Sequence, residues 1–140
     1  MTHMMKTLLL VEDDEDLRTA LTTRLSDAGY TVNAVATYKT GLNAAINKKY
    51  DIVVTDTILL DDNFPDMNFY GTELCRQLRR RGHEGVIIGM SSDTKIPSIE
   101  KEHNLKDVYA EQGADAFIKK NDLKTLERTI EQALAARAKP

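Results

Sequence analysis

Short apolar runs and amphipathic stretches alternate along the whole chain. The run from Thr7 to Val11 is nearly all apolar and has the length of a strand that is buried on both faces. In the next stretch, apolar residues recur every three or four positions, which predicts an amphipathic helix that Gly29 closes. Its apolar positions are Leu17, Leu21, Leu25 and Ala28. The same alternation continues to the end of the chain.

The two patterns predict four further strands, each followed by a helix. The strands are assigned to 30–36, 51–55, 86–90 and 114–118. The helices are marked by Leu42, Ala45 and Ile46, by Leu74, Cys75 and Leu78, by the weakly patterned segment 99–112, and by Leu123, Leu126, Ile130 and Leu134. Thr72 is the predicted N-cap of the third helix, and Asp122 lies near the start of the fifth. Five strand–helix units predict an α/β fold, a doubly wound parallel sheet with helices on both faces.

Polar residues collect where the predicted strands end. The first strand runs into Glu12 and Asp13, the third ends at Asp56, the fourth ends at Ser91, and the fifth runs into Lys120. In an open parallel α/β sheet, ligands bind beyond the carboxyl ends of the strands. We therefore expect the carboxylates, the hydroxyl and the ammonium group to share one cleft.

Three carboxylates in one cleft repel each other unless a proton or a cation lies between them. Mg2+ suits such a site because it prefers oxygen ligands and binds through few carboxylates. Beside the ion, Asp56 could act as a nucleophile toward phosphorus and form an acyl phosphate. Lys120 would then pair with a phosphoryl oxygen, and the Ser91 hydroxyl could donate a hydrogen bond to another.

Each of these features also has a simpler explanation. Acids after a strand are often helix N-caps or first-turn residues, as we expect for Asp14, Glu15 and Asp16. A lysine after a strand is commonly a solvated charge. The coincidence of polar residues at four strand ends is what favours a functional site.

Composition narrows the function classes. A length of 140 residues fits one domain. The chain has a single cysteine, Cys75, which excludes an internal disulfide, and we interpret it as a small residue of the hydrophobic core. No run approaches the roughly 20 apolar residues that span a bilayer, and the start lacks a secretory h-region, so we expect a cytoplasmic protein without membrane contact. The net charge is −3, and the basic cluster 79–81 is interpreted as a helix C-terminus. We therefore expect no direct nucleic-acid binding.

Four segments of the sequence resemble the CheY-like receiver domain of bacterial response regulators. They are Leu8–Asp13, Asp51–Asp56, Val86–Ser91 and Gly113–Lys120, and they appear in the family's order along nearly the whole length of the chain. The resemblance implies a flavodoxin-like five-stranded sheet in the order 2-1-3-4-5 and a receiver domain over 5–138, with no output domain in this chain. It also implies that the chain is no enzyme beyond catalysing its own phosphorylation and dephosphorylation.

The resemblance assigns a role to each site residue. Asp56 is implied as the phosphoacceptor and Lys120 as the phosphate-binding lysine. The implied Mg2+ ligands are Asp13, which binds directly, Asp56 and the backbone carbonyl of Ile58, with Glu12 as the second member of the acidic pair. The implied phosphoryl donor is a histidine kinase or a histidine phosphotransfer protein.

The resemblance also implies a switch and a means of tuning its lifetime. Ser91 is the implied switch hydroxyl, and Phe117 is the aromatic that follows when Ser91 moves toward the phosphoryl group. This movement would repack the face formed by the fourth helix, the fifth strand and the fifth helix, where an effector or a second copy docks. Ile58 and Asp93 are the implied dephosphorylation-tuning positions. Because an apolar Ile58 cannot position a water molecule, we expect slow self-dephosphorylation.

Three departures from the family pattern lie next to the expected site. The connection from Thr57 to Tyr70 is longer than the family's, and a second insertion lies between Ser91 and Gly113. Asn121 follows Lys120 where the family often has a cis-linked proline, and a cis bond at a non-proline costs roughly 2.5–4 kcal/mol. The conformation of the Lys120 loop is therefore open from the sequence.

Other functions compete with this interpretation. A pseudo-receiver would keep the fold without being phosphorylated, and the altered loops are compatible with it. Aspartate-nucleophile phosphohydrolases also place an Asp after a strand, but they use a second Asp two residues on, where this chain has Ile58. A calcium loop starting at Asp62 fails its motif, because Phe64 and Met67 occupy its third and sixth positions.

Overall fold

The computed structural model describes residues 5–59, 69–92 and 104–138. The strands in these ranges are β1 (Thr7–Val11), β2 (Thr31–Val35), β3 (Ile52–Asp56), β4 (Ile58–Leu59), β5 (Phe69–Tyr70), β6 (Val86–Ser91) and β7 (Ala116–Lys119). The helices are α1 (Glu15–Asp27), α2 (Tyr38–Asn47), α3 (Gly71–Arg80), α4 (Leu105–Glu111) and α5 (Leu126–Ala138), and a 3-10 segment (Lys120–Thr125) precedes α5. None of the described helices is both long enough and apolar enough to cross a membrane.

Five parallel strands form one sheet in the order β2-β1-β3-β6-β7. This is the predicted order, with the two-residue strands β4 and β5 lying outside the sheet. These two strands pair antiparallel with each other and were not predicted. Their pairing places Tyr70 opposite Ile58, so the chain returns to the end of β3, where the Gly71 amide donates to the Thr57 carbonyl at 2.7 Å.

Alternate residues of the strands pack into two separate hydrophobic cores, one on each face of the sheet. Leu8 and Leu10 of β1 lie in the core that α1 and α5 cover, whereas Leu9 and Val11 lie in the core that α2, α3 and α4 cover. All four side chains are fully buried. The prediction of a doubly wound sheet is therefore confirmed, and the predicted core position of Cys75, which is fully buried, is confirmed with it.

Helix starts were the least accurate of the sequence predictions. Asp14 caps α1 as predicted, accepting a hydrogen bond from the Leu17 amide at 2.9 Å. The prediction that Thr72 caps α3 is wrong, because the β4–β5 pair brings Tyr70 to the cap position and buries Thr72 inside the first turn. Regular helix in the last element begins at Leu126 rather than near Asp122, whose backbone is non-helical inside the 3-10 segment.

The fourth helix is shorter in the described residues than the predicted span 99–112. Asn104 is its N-cap and accepts a hydrogen bond from the Asp107 amide at 2.9 Å, which fixes the start at Leu105. Residues 99–103 of the predicted span lie outside the described residues.

Arg79 has a structural role that the sequence did not reveal. Arg79 to Arg81 do lie at the end of α3, and Arg80 and Arg81 are exposed. The Arg79 guanidinium, however, donates to the backbone carbonyls of Gly113, His83 and Gly85 at 2.8–2.9 Å and to the Asp115 carboxylate at 3.0 Å. It therefore ties the ends of α3 and α4 to the start of β6.

Replacing Arg79 by lysine is expected to destabilise the fold. Lysine keeps the charge but cannot donate four hydrogen bonds from a planar guanidinium, so half-buried carbonyls lose their partners. We expect Arg79→Lys to lower the free energy of unfolding by about 2 kcal/mol in urea titrations. Arg80→Lys is the matched control on the exposed face and should change it by less than about 0.5 kcal/mol. Equal effects of the two variants would contradict the role assigned to Arg79.

Candidate functional site

The carboxyl ends of β1 and β3 bring three acidic side chains together. Asp56 is the last residue of β3, and Glu12 and Asp13 directly follow β1, which pairs with β3. One carboxylate oxygen from each of the three lies within 4.8 Å of the others. Glu12 is fully buried, Asp56 is 7% exposed, and Asp13 is half-buried. Such a set of hard oxygen donors fits a small divalent cation such as Mg2+.

Lys120 forms ion pairs with two of the three acids. Its Nζ lies 2.9 Å from Glu12 Oε1 and 3.1 Å from Asp56 Oδ1. The described residues contain no cis peptide bond, so the link from Lys120 to Asn121 is trans. The departure at Asn121 therefore leaves the lysine in the cleft, where it was predicted.

Backbone amides hold the buried carboxylates in place. The amide of Asp14 donates to Glu12 Oε2 at 3.0 Å, and the amide of Thr57 donates to Asp56 Oδ1 at 2.9 Å. Arg18 of α1 donates from Nη1 to the Glu12 carbonyl at 3.0 Å, which fixes the backbone between β1 and α1. The acids are thus oriented by the fold before any ligand arrives.

The electrostatics of the cleft favour a proton or a cation at Asp56. Burial and, after it, the negative charge of Glu12 raise the pKa of Asp56, while Lys120 and the Thr57 amide lower it, and the net result is a pKa of about 7. Burial alone would lower the pKa of Lys120, but its hydrogen bonds and ion pairs with Glu12 and Asp56 outweigh burial and raise it. Lys120 therefore stays charged, while Asp56 readily takes up positive charge from solution.

The predicted switch residues lie on the neighbouring strands. Ser91 ends β6 one residue beyond Met90, the register partner of Asp56, and it is buried. Phe117 of β7 is half-buried and is the register partner of Gly89, two residues before Ser91 on the same side of β6. Asp93, the second predicted tuning position, lies outside the described residues.

Ile58, the other predicted tuning position, follows the site directly. It begins β4 one residue after Thr57, and its side chain is 42% exposed. An apolar side chain therefore faces solvent beside the carboxylates.

The sequence did not single out Thr57 or Tyr109, which lie immediately behind the acids. Thr57 is fully buried, and its hydroxyl oxygen lies 2.8 Å from the Met90 carbonyl and 2.9 Å from the Tyr109 hydroxyl. The available signal was Gly89, because a glycine inside a strand often marks a close approach by another group.

Comparison with known proteins identifies the family. The family model described as the response regulator receiver domain matches residues 8–131. The chain belongs to the response regulator receiver family. It is 31% identical over 116 residues to the transcriptional regulatory protein AfsQ1 of Streptomyces coelicolor, a match that covers 83% of this chain and 45% of AfsQ1. It is 34% identical over 84 residues to the response regulator ArlR of Staphylococcus epidermidis, covering 60% of this chain and 35% of ArlR. The receiver thus spans less than half the length of these relatives.

Solved structures confirm the receiver fold. A CheY-like response regulator receiver domain protein from Methanospirillum hungatei superposes with a TM-score of 0.79 at 24% identity, covering 96% of this chain and 97% of that one. TrrA of Thermotoga maritima, solved in complex with Mg2+ and BeF, superposes with a TM-score of 0.72 at 21% identity, covering 92% and 99%.

The raised pKa of Asp56 predicts a particular pH dependence of stability. In the folded receiver Asp56 holds its proton up to about pH 7, whereas its ordinary value is 3.8. The stability that protonation contributes is therefore present at pH 4 and is lost as the pH rises toward 7. In Mg2+-free buffer we expect Asp56→Asn to be more stable than the wild type at pH 8 by about 1–3 kcal/mol, and by much less at pH 4.

Urea titrations at the two pH values, with and without Mg2+, measure this difference. Mg2+ should stabilise the wild type at pH 8 and leave Asp56→Asn nearly unchanged, because a ligand stabilises only the state that binds it. Asp27→Asn, which changes an exposed acid at the end of α1, is the control. A wild type that is as stable at pH 8 as Asp56→Asn would contradict the electrostatic account.

Proposed function

We propose that this receiver accepts a phosphoryl group on Asp56, with Mg2+, from the phosphohistidine of a histidine kinase or a histidine phosphotransfer protein. The observation that carries the proposal is the cluster of Glu12, Asp13 and Asp56 within 4.8 Å, with Lys120 against two of its members. TrrA, which shares the fold, was solved with Mg2+ and BeF. The proposed receiver unit is 5–138, and its buried Cys75 thiol suits the reducing cytoplasm.

The chain's own residues supply positioning and charge for the transfer. A carboxylate oxygen of Asp56 attacks phosphorus while the bond from phosphorus to the histidine nitrogen of the donor breaks, which leaves an aspartyl phosphate and a histidine. Asp13, Asp56 and the Ile58 carbonyl would hold Mg2+, with Glu12 behind them. When bound, the ion neutralises charge on the phosphoryl oxygens.

Lys120 and Ser91 would bind the phosphoryl oxygens of the product. Lys120 is already 3.1 Å from Asp56 Oδ1, so a short movement of its ammonium reaches a phosphoryl oxygen on that carboxylate. Ser91 ends the strand next to β3, where its hydroxyl can donate to another phosphoryl oxygen. Movement of Ser91 toward the phosphoryl group opens space that Phe117 enters.

The expected output face carries a groove beside Phe117. The groove has a volume of about 560 Å³ and lies between the start of α4, strand β7 and the start of α5. Its lining includes Phe117, Ile118, Lys106 and Thr129. A change at Phe117 therefore alters a surface on which an effector or a second receiver can dock.

Labelling with acetyl phosphate tests the proposed chemistry directly. We expect Mg2+-dependent incorporation of one phosphoryl group per chain, seen by intact mass, with loss of the label in Asp56→Asn and full labelling in the control Asp27→Asn. Repeated turnover of an aryl phosphate would instead identify a phosphohydrolase. If neither acetyl phosphate nor a histidine kinase labels the wild type, the chain is a pseudo-receiver and the proposal is refuted.

The lifetime of the aspartyl phosphate follows from Ile58. Because this exposed apolar side chain cannot hold a water molecule in line with phosphorus, we expect the label to persist for minutes or longer. Ile58→Asn introduces an amide that can orient water and should shorten the lifetime. Ile46→Asn is the matched control, since Ile46 is 49% exposed on α2. Decay of the wild-type label within seconds in the presence of Mg2+ would contradict the prediction.

A further inference from the structure

Two glycines make room for one fully buried tyrosine behind the phosphoacceptor. A Cβ at Gly89 of β6 would lie 2.3 Å from Cζ of Tyr109, so the ring occupies the place of a side chain at position 89. A Cβ at Gly71 would lie 2.5 Å from the Tyr109 hydroxyl oxygen and 2.2 Å from the Asp56 carbonyl oxygen. The Tyr109 side chain of α4 therefore lies against the face of the sheet, and its hydroxyl reaches the end of β3.

The hydrogen bonds around Thr57 define which hydroxyl donates. The Thr57 hydroxyl donates its one proton to the Met90 carbonyl at 2.8 Å, since a carbonyl can only accept. The contact of 2.9 Å between the Thr57 and Tyr109 hydroxyls must then be a bond donated by Tyr109. Burial raises the pKa of Tyr109, so this donor keeps its proton throughout the ordinary pH range.

Thr57, which the Tyr109 hydroxyl contacts, also holds the side chain of the phosphoacceptor. Its backbone amide donates to Asp56 Oδ1 at 2.9 Å, and its carbonyl accepts from the Gly71 amide at 2.7 Å. On the other side, the Tyr109 ring stacks on Phe117, with the ring centres 5.6 Å apart and the planes at 27°. Tyr109 thus contacts the residue that holds Asp56 and the predicted switch aromatic at the same time.

We propose that Tyr109 is a positioning residue for the phosphoacceptor, holding Thr57 so that its amide orients Asp56, and that it links this contact to Phe117 and α4. The inference rests on the proposed function and deepens it. A phenylalanine would fill the same space between the two glycines. A buried hydroxyl is costly unless it is bonded, so its presence here is explained by the bond to Thr57.

Tyr109→Phe isolates the hydroxyl, and Tyr50→Phe is its matched control. Tyr50 is 6% exposed, and its hydroxyl accepts a hydrogen bond from Asn33 Nδ2 at 2.7 Å. Tyr50 precedes β3 and therefore lies at the opposite end of that strand from Asp56. Both variants lose a hydroxyl from a buried ring, so both report the general cost of the deletion. Urea unfolding of each variant gives that cost.

Two readouts separate positioning from stability. The first is the amide resonance of Thr57 in nitrogen-15 NMR spectra, which needs no phosphorylation. The second is the rate constant for labelling by acetyl phosphate at saturating Mg2+. We expect Tyr109→Phe to shift the Thr57 amide and to slow labelling by about three- to tenfold, the effect of one lost hydrogen bond. Tyr50→Phe should change neither.

Variants at Thr57 complete the test through a double-mutant cycle. Thr57→Val removes the acceptor, so adding Tyr109→Phe to it should slow labelling no further, whereas Thr57→Ser should keep the wild-type rate. The proposal would be overturned if the two single changes slowed labelling independently, so that their effects multiplied in the double variant. It would also be overturned if Tyr109→Phe and Tyr50→Phe gave the same labelling rate and the same Thr57 amide resonance. If the wild type takes no label at all, the proposed function fails. The amide resonance of Thr57 still tests the positioning role in that case, because an unchanged resonance in Tyr109→Phe refutes it.

Discussion

The structure depends on a charge imbalance at the end of the sheet. Glu12, Asp13 and Asp56 lie within 4.8 Å of one another, and the single ammonium of Lys120 pairs with two of them. Two of these carboxylates are almost completely removed from water, so their repulsion is only weakly screened. The site is left with an excess of negative charge that a proton, a divalent cation or a rearranged lysine must balance. Burial and, after it, the charge of Glu12 raise the pKa of Asp56.

The fold imposes this imbalance through strand register. Val11 of β1 pairs with Thr55 of β3, so the next residue of each strand, Glu12 and Asp56, must lie side by side. Both strands are buried on both faces, which leaves the carboxylates no route to solvent except the end of the sheet. Lys120 follows β7, two strands away from β3, and its long side chain spans the distance. The acidic cluster that could hold a cation is therefore a consequence of where the parallel strands end.

The sequence predicted the sheet and the three acids for the same reason. A strand buried on both faces has a continuous apolar run, and the first polar residue after that run marks the end at which ligands bind. Neither fact requires knowledge of partners that are distant in sequence. The order of the strands and the role of Asp13 as the direct Mg2+ ligand came from the family resemblance, since apolar periodicity does not define which strands are neighbours.

The features that the sequence did not reveal depend on contacts between distant residues. Thr72 is a residue type that commonly caps helices, but the unpredicted β4–β5 pair places the cap at Tyr70, two residues earlier. Arg79 was interpreted from its position at a helix end, whereas its role comes from carbonyls of two other connections. Tyr109 fits its place only because Gly89 lacks a side chain, and no periodicity within α4 carries that information.

Tyr109 adds a second physical connection between Asp56 and the α4 face to the switch that the proposed function assigns to Ser91 and Phe117. It runs through Thr57 and the Tyr109 ring to Phe117. Phosphorylation can bias α4 only by the difference in contact energy between the two states, and a buried hydrogen bond contributes about 1 kcal/mol to such a difference. Coupling between two binding events is reciprocal. If phosphorylation biases α4 as we propose, a partner that fixes α4 in one position would also influence the orientation of Asp56, through the contact of Tyr109 with Phe117.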